Sequence, residues 1–348
     1  MEVRHFGPML RPLYSARRGV QMTGNTVWIK RLALALGAGL LTVAIGAQAA
    51  WPDKPIKIIA TYQPGGTNDI MARLAADIWS KALQVPVLVE NHPGSSGNLG
   101  TELVAKAKPD GYTLLAGTFG PITTSPTLYP NLPYDPAKDF APVGILASVP
   151  NVIFVHPSLP VSNLAELVTL AKTRPEPLKF GIVYGGTPQF LVAQLRKTTG
   201  IELLEIPYKG GTSALNDLIG NHLDLYIDNL PAVLPQIRGG TVKVLAVASQ
   251  ARSPQLPDVP TTAEAGFPDV EVSAWHGILA PAGTPPAVVE RLNQTLVQAL
   301  HTPEVRARIE QQGGTVVADT PEQFQGFILS EIARWRQVIL DNHITASN

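Results

Sequence analysis

The feature that most constrains the fold is a unit that recurs along the chain, in which an apolar run leads into a glycine-containing loop and then into an amphipathic helical pattern. In its first copy, the run IKIIAT at 56–61 is followed by Gly65-Gly66-Thr67. Apolar residues then recur at helical spacing, at Met71, Leu74, Ala75, Ile78 and Trp79. Strands that alternate with helices are typical of a mostly parallel sheet. The sequence therefore predicts an α/β protein. A length of 348 residues is enough for two α/β domains, each built from several strand–loop–helix units.

The same pattern predicts the remaining elements. Further strands are expected at 85–91, 112–118, 150–157, 178–183, 201–207, 222–228 and 242–249. Further helices are expected at 99–107, 163–173, 212–220, 285–300 and 321–340, and two more begin at Pro188 and Pro231. Ser162 is the expected N-cap of the helix at 163–173. Thr187 is the expected N-cap of the helix that has Pro188 at its first position. The proline-rich stretch 251–269 reads as a surface connection, and the segments 148–156 and 246–273 lie between the two units as candidate crossovers.

The first fifty residues have the character of an export signal. Lys30 and Arg31 precede an uncharged apolar run at 32–45, and Ala47-Gln48-Ala49 fits a small-x-small cleavage site. A membrane helix needs about 20 apolar residues, so this run is short for one, although an N-terminal anchor is the alternative. We therefore expect a signal peptide at 1–49 that is cleaved near Ala49, a periplasmic location, and Met22 as a possible true start.

Charge and cysteine content exclude several classes of function. Six of the 27 Lys and Arg precede Ala50, against one of the 27 Asp and Glu, so the remainder carries a net charge of −5 and offers no basic footprint for nucleic acid. The chain has no cysteine, which excludes thiol catalysis and thiolate metal sites.

Glycine-containing loops follow several of the predicted strands, at Gly65-Gly66-Thr67, Gly94-Ser95-Ser96-Gly97, Gly117-Thr118, Gly185-Gly186-Thr187 and Gly210-Gly211-Thr212. Ligands of open parallel sheets bind beyond the carboxyl ends of the strands, where the next helix presents unpaired N–H groups and the positive end of its dipole. Glycine lets backbone approach a ligand closely. The loops therefore predict a site for an anionic oxygen group, and the alternative for any one of them is a plain turn with a capping Thr.

Polar residues near these loops have two readings each. Asp69 either accepts from a ligand hydroxyl or ammonium, or stabilises the first turn of its helix through the dipole. Lys209 either pairs with a ligand carboxylate or is a solvated surface residue. Asp228 and Asn229 either contact the polar tail of a ligand or form a turn before Pro231. Tyr62 either covers the ligand or lies at the rim.

The predicted ligand-binding set combines these loops and side chains. It comprises Tyr62, Gly66, Thr67, Asp69, Ser95, Ser96, Thr118, Thr187, Gln189, Tyr208, Gly210, Thr212, Asp228 and Asn229.

Signatures of catalysis are missing from the sequence. It contains no G-x-S-x-G, H-E-x-x-H, G-x-x-x-x-G-K-[ST] or post-strand G-x-G-x-x-G motif. The seven His residues are scattered, and His222 with Asp224 lacks an evident third ligand for a metal. We therefore predict no catalytic residues, no cofactor and no metal site, and a protein that is not an enzyme.

Four stretches carry a resemblance to a known family. They are WPDKPIKIIATYQPGGTNDIMARLAADI, VPVLVENHPGSSGNLGTELVAKAKPDGYTLLAGT, IPYKGGTSALNDLIGNHLDLYIDNLP and APAGTPPAVVERLN. In this order they resemble the Bug-type extracytoplasmic solute receptors, the substrate-binding components of tripartite tricarboxylate transporters. The resemblance spans Trp51 to about Leu340.

The resemblance implies a two-lobe periplasmic binding protein of type II, each lobe a mostly parallel sheet flanked by helices. Lobe 1 would comprise 50–150 plus 274–348, and lobe 2 would comprise 151–273. It also implies a small organic carboxylate as ligand, permease subunits of the transporter as membrane partners, and a monomer. Loops at 62–69, 184–189 and 208–212 look like those that grip the ligand in the family, and this chain departs from the family at Gln189, where relatives often carry His, and at Thr212-Ser213.

Two other functions are compatible with the same sequence. One is an exported sensory binding protein that signals to a membrane kinase. The other is an exported enzyme acting on a carboxylated substrate, with Asp69 or Asp228 as general base.

Overall fold

The computed structural model describes residues 51–346, so the predicted signal peptide, its cleavage near Ala49 and the alternative start at Met22 lie outside the described residues. The strands are β1 (Ile56–Ala60), β2 (Val87–Asn91), β3 (Thr113–Thr118), β4 (Phe140–Val155), β5 (Leu178–Ile182), β6 (Leu203–Pro207), β7 (Leu225–Asn229), β8 (Lys243–Ala248), β9 (Ser273–Pro281) and β10 (Thr315–Val316). The helices are α1 (Thr67–Leu83), α2 (Asn98–Ala105), α3 (Ser125–Leu128), α4 (Leu164–Thr173), α5 (Thr187–Thr199), α6 (Gly211–Ile219), α7 (Leu230–Arg238), α8 (Pro286–Leu300), α9 (Pro303–Gln311) and α10 (Pro321–Asp341). None of these helices is long and apolar enough to span a membrane.

The strands form one sheet in the order β2-β1-β3-β9-β4-β7-β5-β6, with β8 and β10 paired to β4. Pairing is parallel where strands alternate with helices, between β1 and both β2 and β3, and between β5 and both β6 and β7. The strands β4 and β9 pair antiparallel with their neighbours. The α/β class predicted from the alternation is confirmed, and the antiparallel centre is what the sequence pattern missed.

The long strand β4 joins the two parallel groups. Its residues 140–150 pair with β9, which pairs in turn with β3, whereas residues 151–155 pair with β7 and β8. The prediction of a strand at 150–157 therefore captured only its second half. β9 was not predicted, because Trp275, His276 and Gly277 interrupt its apolar run.

The helix α1 shows how the apolar periodicity builds the core. Met71, Leu74, Ala75, Ile78 and Trp79 are all buried, as predicted. The indole Nε1 of Trp79 also donates to the carbonyl of Leu292 at 3.1 Å, which ties α1 to α8. This packing holds the N-terminus of α1 at a fixed place beyond the end of β1.

Two predicted N-caps were each wrong by one residue. The N-cap of α4 is Asn163, whose side chain accepts from the backbone N of Glu166 at 2.9 Å, while the backbone N of Ser162 donates to the Glu166 carboxylate. The N-cap of α5 is Gly186, so Thr187 is the first helical residue. In α4 the side chain of Asn163, which is longer than that of Ser162, reaches the free backbone N–H of Glu166. In α5 the N-cap Gly186 has no side chain, so the N-terminus of this helix is uncapped.

Candidate functional site

The segments that follow β1, β3, β5 and β6 converge on a cavity whose wall also includes residues of β7 and β9. About 80 Å³ of it is open to the centre of a water-sized sphere. A single water needs ~10–15 Å³ on that scale, so the cavity has the size of a small organic molecule. Eight residues of the predicted ligand-binding set line it: Tyr62, Gly66, Thr67, Thr118, Thr187, Thr212, Asp228 and Asn229.

Two of the loops have the same construction in the two halves of the sheet. Gly65 and Gly185 both adopt positive φ, at 84° and 76°. The next residue, Gly66 in one loop and Gly186 in the other, is the N-cap of the following helix, with φ/ψ of −75°/164° and −80°/165°. Neither helix has a side-chain cap. The first turn of α1 therefore presents backbone N–H groups to the cavity, whereas α5 presents the N–H of Thr187, because Pro188 has none and Gln189 N donates to the carbonyl of Gly186 at 3.1 Å. Both helices direct the positive ends of their dipoles to this cavity.

Asp69 and Gln189 occupy equivalent positions in these loops and lie outside the cavity lining. The backbone N of Gly65 donates to Asp69 Oδ2 at 3.0 Å, and the backbone N of Gly185 donates to Gln189 Oε1 at 2.7 Å. Each side chain therefore stabilises the conformation of its loop without contacting the cavity. This placement differs from the expected direct contact with the ligand, because the acceptor atoms are used within the protein.

The side chain of Asp69 is a carboxylate with several hydrogen-bond donors around it. Burial alone would raise the pKa of Asp69, but hydrogen bonds from Arg73, Gly65 and Asn91 outweigh it and hold the pKa below its usual range. Arg73 also forms an ion pair with it at 2.9 Å. Asp69 is thus an ionised structural group, which argues against its use as a general base.

The other predicted residues outside the lining also make contacts within the protein. The backbone O of Ser96 accepts from the Tyr62 hydroxyl at 2.9 Å. Ser95 and Ser96 both have positive φ. The hydroxyl of Tyr208 donates to Asp217, and burial followed by this carboxylate raises the pKa of Tyr208 to about 12. A side chain at Gly210 would lie 2.9 Å from Gln63 Oε1, so this glycine permits a close approach between loops. Lys209 is exposed.

The N-terminus of α6 differs from those of α1 and α5 because the protein supplies its own carboxylate there. A Cβ on Gly211 would lie 2.5 Å from Asp228 Oδ2, so this oxygen packs against the first residue of the helix. Asp228 also accepts from the backbone N of Asn229 at 2.7 Å. Burial raises the pKa of Asp228 to about 6, and the hydrogen bonds from Asn229 and Tyr226 limit the rise. An external anion is therefore disfavoured at the N-terminus of α6.

The buried side chain of Asn151 on β4 organises the wall next to α5. Its Oδ1 accepts from Thr187 Oγ1 and from Asn229 Nδ2, both at 2.9 Å, and its Nδ2 donates to the carbonyl of Val272 at 2.6 Å. Two predicted ligand residues are therefore held in place by a residue that the sequence did not single out.

Three hydrogen bonds close the cavity from the side of the loops. Ser213 Oγ donates to Gln63 Oε1 at 3.0 Å, Thr212 Oγ1 donates to the carbonyl of Pro64 at 3.2 Å, and Thr124 Oγ1 donates to the carbonyl of Gly185 at 2.8 Å. Each joins a loop of the β1–β3 group to one of the β5–β7 group.

A family profile described as "Tripartite tricarboxylate transporter family receptor" matches residues 71–344. The chain belongs to this family. The expectation of a Bug-type receptor is confirmed.

Three similar proteins illustrate the relation to this receptor family. "Protein BugT" of Bordetella pertussis is 37% identical over 314 residues, which cover 89% of this chain and 96% of BugT. The R. palustris protein Rpa4515, solved with adipate, has a TM-score of 0.82 and 36% identity, covering 85% of this chain and 99% of its own. MatC from Rhodopseudomonas palustris, solved with bound malate, has a TM-score of 0.78 and 31% identity, covering 83% and 100%.

The cavity of this receptor contains residues that the sequence did not identify. His276 on β9 lines the cavity and is only 3% exposed, and burial lowers its pKa to about 3. Because β9 was not recognised as a strand, nothing in the sequence pointed to a His beside Thr118, its partner on β3. Gln63 and Phe119 follow predicted strands and Tyr226 lies on one, but none of the three was singled out as a ligand residue.

Proposed function

We propose that the chain is a periplasmic receptor that captures a small organic carboxylate in this cavity and delivers it to the permease subunits of a tripartite tricarboxylate transporter. In this role it acts as a monomer and performs no chemistry on its ligand. Export by the predicted signal peptide is part of the proposal.

The observation that carries the proposal is the pair of uncapped N-termini of α1 and α5, which face one cavity from two halves of the sheet. A hydrogen bond to a charged group contributes about 1.5–3 kcal/mol, and a helix terminus adds about 0.3–1 kcal/mol. Micromolar affinity corresponds to about 8 kcal/mol. A few backbone donors from both helices therefore suffice to bind one carboxylate.

The cavity also favours binding over catalysis. Among the described residues, no Ser or Thr hydroxyl is hydrogen-bonded to His276 or Asp228, and no three His, Cys, Asp or Glu side chains group as a metal site. The relatives solved with adipate and malate hold organic carboxylates, which supports a carboxylate-bearing ligand for this chain.

We further propose that the two strand groups are lobes that close on the ligand by a hinge motion. Lobe 1 comprises 50–150 plus 274–348, and lobe 2 comprises 151–273. The chain passes between the groups along β4 and into β9, which makes these strands the natural hinge. The hydrogen bonds of Gln63, Pro64 and Gly185 with the opposite group are those expected of a closed arrangement.

Calorimetry and thermal unfolding of the mature protein test the proposal. The probes are short mono- and dicarboxylates, aromatic acids and acidic amino acids, each compared with its uncharged primary amide. A ligand at about 100 times its Kd stabilises the folded state by about 2.7 kcal/mol. We expect at least one acid to do so while its amide does not. If every acid leaves the melting temperature unchanged, or if acids and amides act alike, the proposal is wrong.

A further inference from the structure

His276 forms part of the cavity wall. It is on β9, between Thr118 of β3 and Ala147 of β4, and alternation along the strand places it on the same face as Ala274, which also lines the cavity. The adjacent Trp275 packs on the other side of the sheet, against Phe324. The backbone around His276 is therefore fixed on both sides by strand pairing.

The imidazole of His276 lacks a partner within the part of the chain that the structure describes. Both ring nitrogens are buried and neither has a hydrogen bond to a protein group. Nearby in the lining, Thr67 Oγ1 is likewise buried without a partner. Buried polar groups in folded proteins are nearly always hydrogen-bonded, and one left unpaired costs free energy. The terminal torsion of a His side chain is broad, so rotation about it allows a ring nitrogen to reach the cavity.

The electrostatics of the cavity restrict what this imidazole can bind. Burial keeps the ring neutral, so it offers one N–H donor and one acceptor nitrogen. The described lining contains no Lys or Arg, and Asp228 is its one carboxylate. The helix N-termini of α1 and α5 can hold one anionic group, but a second anion near Asp228 would lose its hydration without meeting a cation.

We propose that His276 determines ligand specificity by hydrogen-bonding an uncharged hydroxyl, carbonyl or ring-nitrogen group that the ligand carries in addition to its carboxylate. The inference rests on the proposed function, because the carboxylate must first be held at the helix N-termini. The ligand is then a hydroxy, keto or heteroaromatic monocarboxylic acid, and both plain fatty acids and dicarboxylic acids of the same length bind more weakly.

Three four-carbon acids test this directly, because they differ only at the end remote from one carboxylate: butyrate ends in a methyl, 4-hydroxybutyrate in a hydroxyl, and succinate in a second carboxylate. The five- and six-carbon homologues and the pair benzoate and nicotinate extend the test to other lengths and to a ring nitrogen. Calorimetric Kd values are measured for wild type, for His276→Phe, which keeps a flat ring without nitrogens, and for His276→Asn, which keeps a donor and an acceptor.

For the best-fitting length we expect wild type to prefer the hydroxy acid over the plain acid by roughly 5- to 150-fold, the range for leaving one buried polar group unpaired. His276→Phe should abolish that ratio while still binding the plain acid, and His276→Asn should keep most of it. Equal binding of the hydroxy and plain acids by wild type, tightest binding of the dicarboxylate, or an unchanged ratio in His276→Phe overturns the inference while leaving the receptor function intact. Failure of every acid to bind wild type overturns the receptor function and the inference with it.

Discussion

Gln189 connects the C-terminal segment to the ligand-binding loop, because its Nε2 donates to the carbonyl of Thr345 at 2.8 Å while its Oε1 accepts from the backbone N of Gly185 at 2.7 Å. A second contact, from Lys197 to Asn342 at 3.0 Å, holds the same segment against α5. The residues after α10 therefore brace the loop that precedes α5, although they are more than 150 positions away in sequence.

This bracing predicts the effect of changing Gln189. Gln189→Ala leaves the Gly185 N–H unpaired, so we expect a loss of about 1–3 kcal/mol in the free energy of unfolding and weaker carboxylate binding. Gln189→Glu keeps the acceptor but places a buried carboxylate oxygen against the carbonyl of Thr345, so it should also be destabilising. Urea unfolding and calorimetry measure both quantities. Thr198→Ala, an exposed position on the same helix, is the control, and equal behaviour of Gln189→Ala and this control would contradict the account.

The contact between Gly211 and Asp228 predicts a strict requirement for glycine. A Cβ at Gly211 would lie 2.5 Å from Asp228 Oδ2 and 3.1 Å from the Tyr226 hydroxyl. We expect Gly211→Ala to destabilise the protein by about 1–3 kcal/mol, because neither the carboxylate nor the helix can shift freely. Gly326→Ala is the matched control, since no atom lies within 4 Å of its Cβ position in α10. It should be stabilising by about 0.5–1 kcal/mol, and chemical denaturation of both variants decides the point.

Burial of neutral His276 predicts a dependence of stability on pH. Its pKa is lowered to about 3, whereas an unfolded His titrates near about 6.5. Between these values the unfolded chain binds a proton that the folded protein does not, so the free energy of unfolding falls as pH falls, by up to about 1.4 kcal/mol per pH unit. Above about pH 6.5 the effect is absent.

The difference between wild type and His276→Phe isolates this effect, because Asp228, whose pKa is raised to about 6, is present in both proteins. We expect the difference in unfolding free energy to be constant above neutral pH and to shift in favour of the variant on acidification. Urea titrations at a series of pH values measure it. A difference that stays constant down to acidic pH would show that His276 is protonated in the folded protein.

The sequence predicted those parts of the fold in which local pattern and tertiary context agree. The spacing of Met71, Leu74 and Ile78 identified the buried face of α1, and the glycines before Thr67 and Thr187 marked the loops that meet at the cavity. These features follow from helix periodicity and from glycine's access to positive φ.

The remaining features depend on contacts that no local pattern encodes. Asp69 and Gln189 both stand two residues after a Gly-Gly-Thr, but because their chemistry differs, their shared role as acceptors of a glycine N–H is visible only in the structure. His276 became a cavity residue through the pairing of β9 with β3, an antiparallel contact between distant segments. Asp228 was expected near the ligand, but its position at the N-terminus of α6 depends on the absent side chain of Gly211.

In the proposed receptor, backbone N–H groups at the N-termini of α1 and α5 hold the carboxylate. Thr67 is the first residue of α1, where proline is well tolerated, and Gly66 before it already has the extended conformation that a following proline requires. Thr67→Pro therefore removes the amide donor without breaking the helix, and Thr67→Ala removes the same hydroxyl while keeping the donor.

Calorimetric Kd values of a bound carboxylate for this pair of variants test the claim most directly, with melting temperatures as the check on folding. We expect Thr67→Pro to melt close to Thr67→Ala but to bind the acid about 10- to 150-fold more weakly, which corresponds to the loss of one hydrogen bond to a charged group, about 1.5–3 kcal/mol. Equal affinity of the two variants for the acid would contradict the claim.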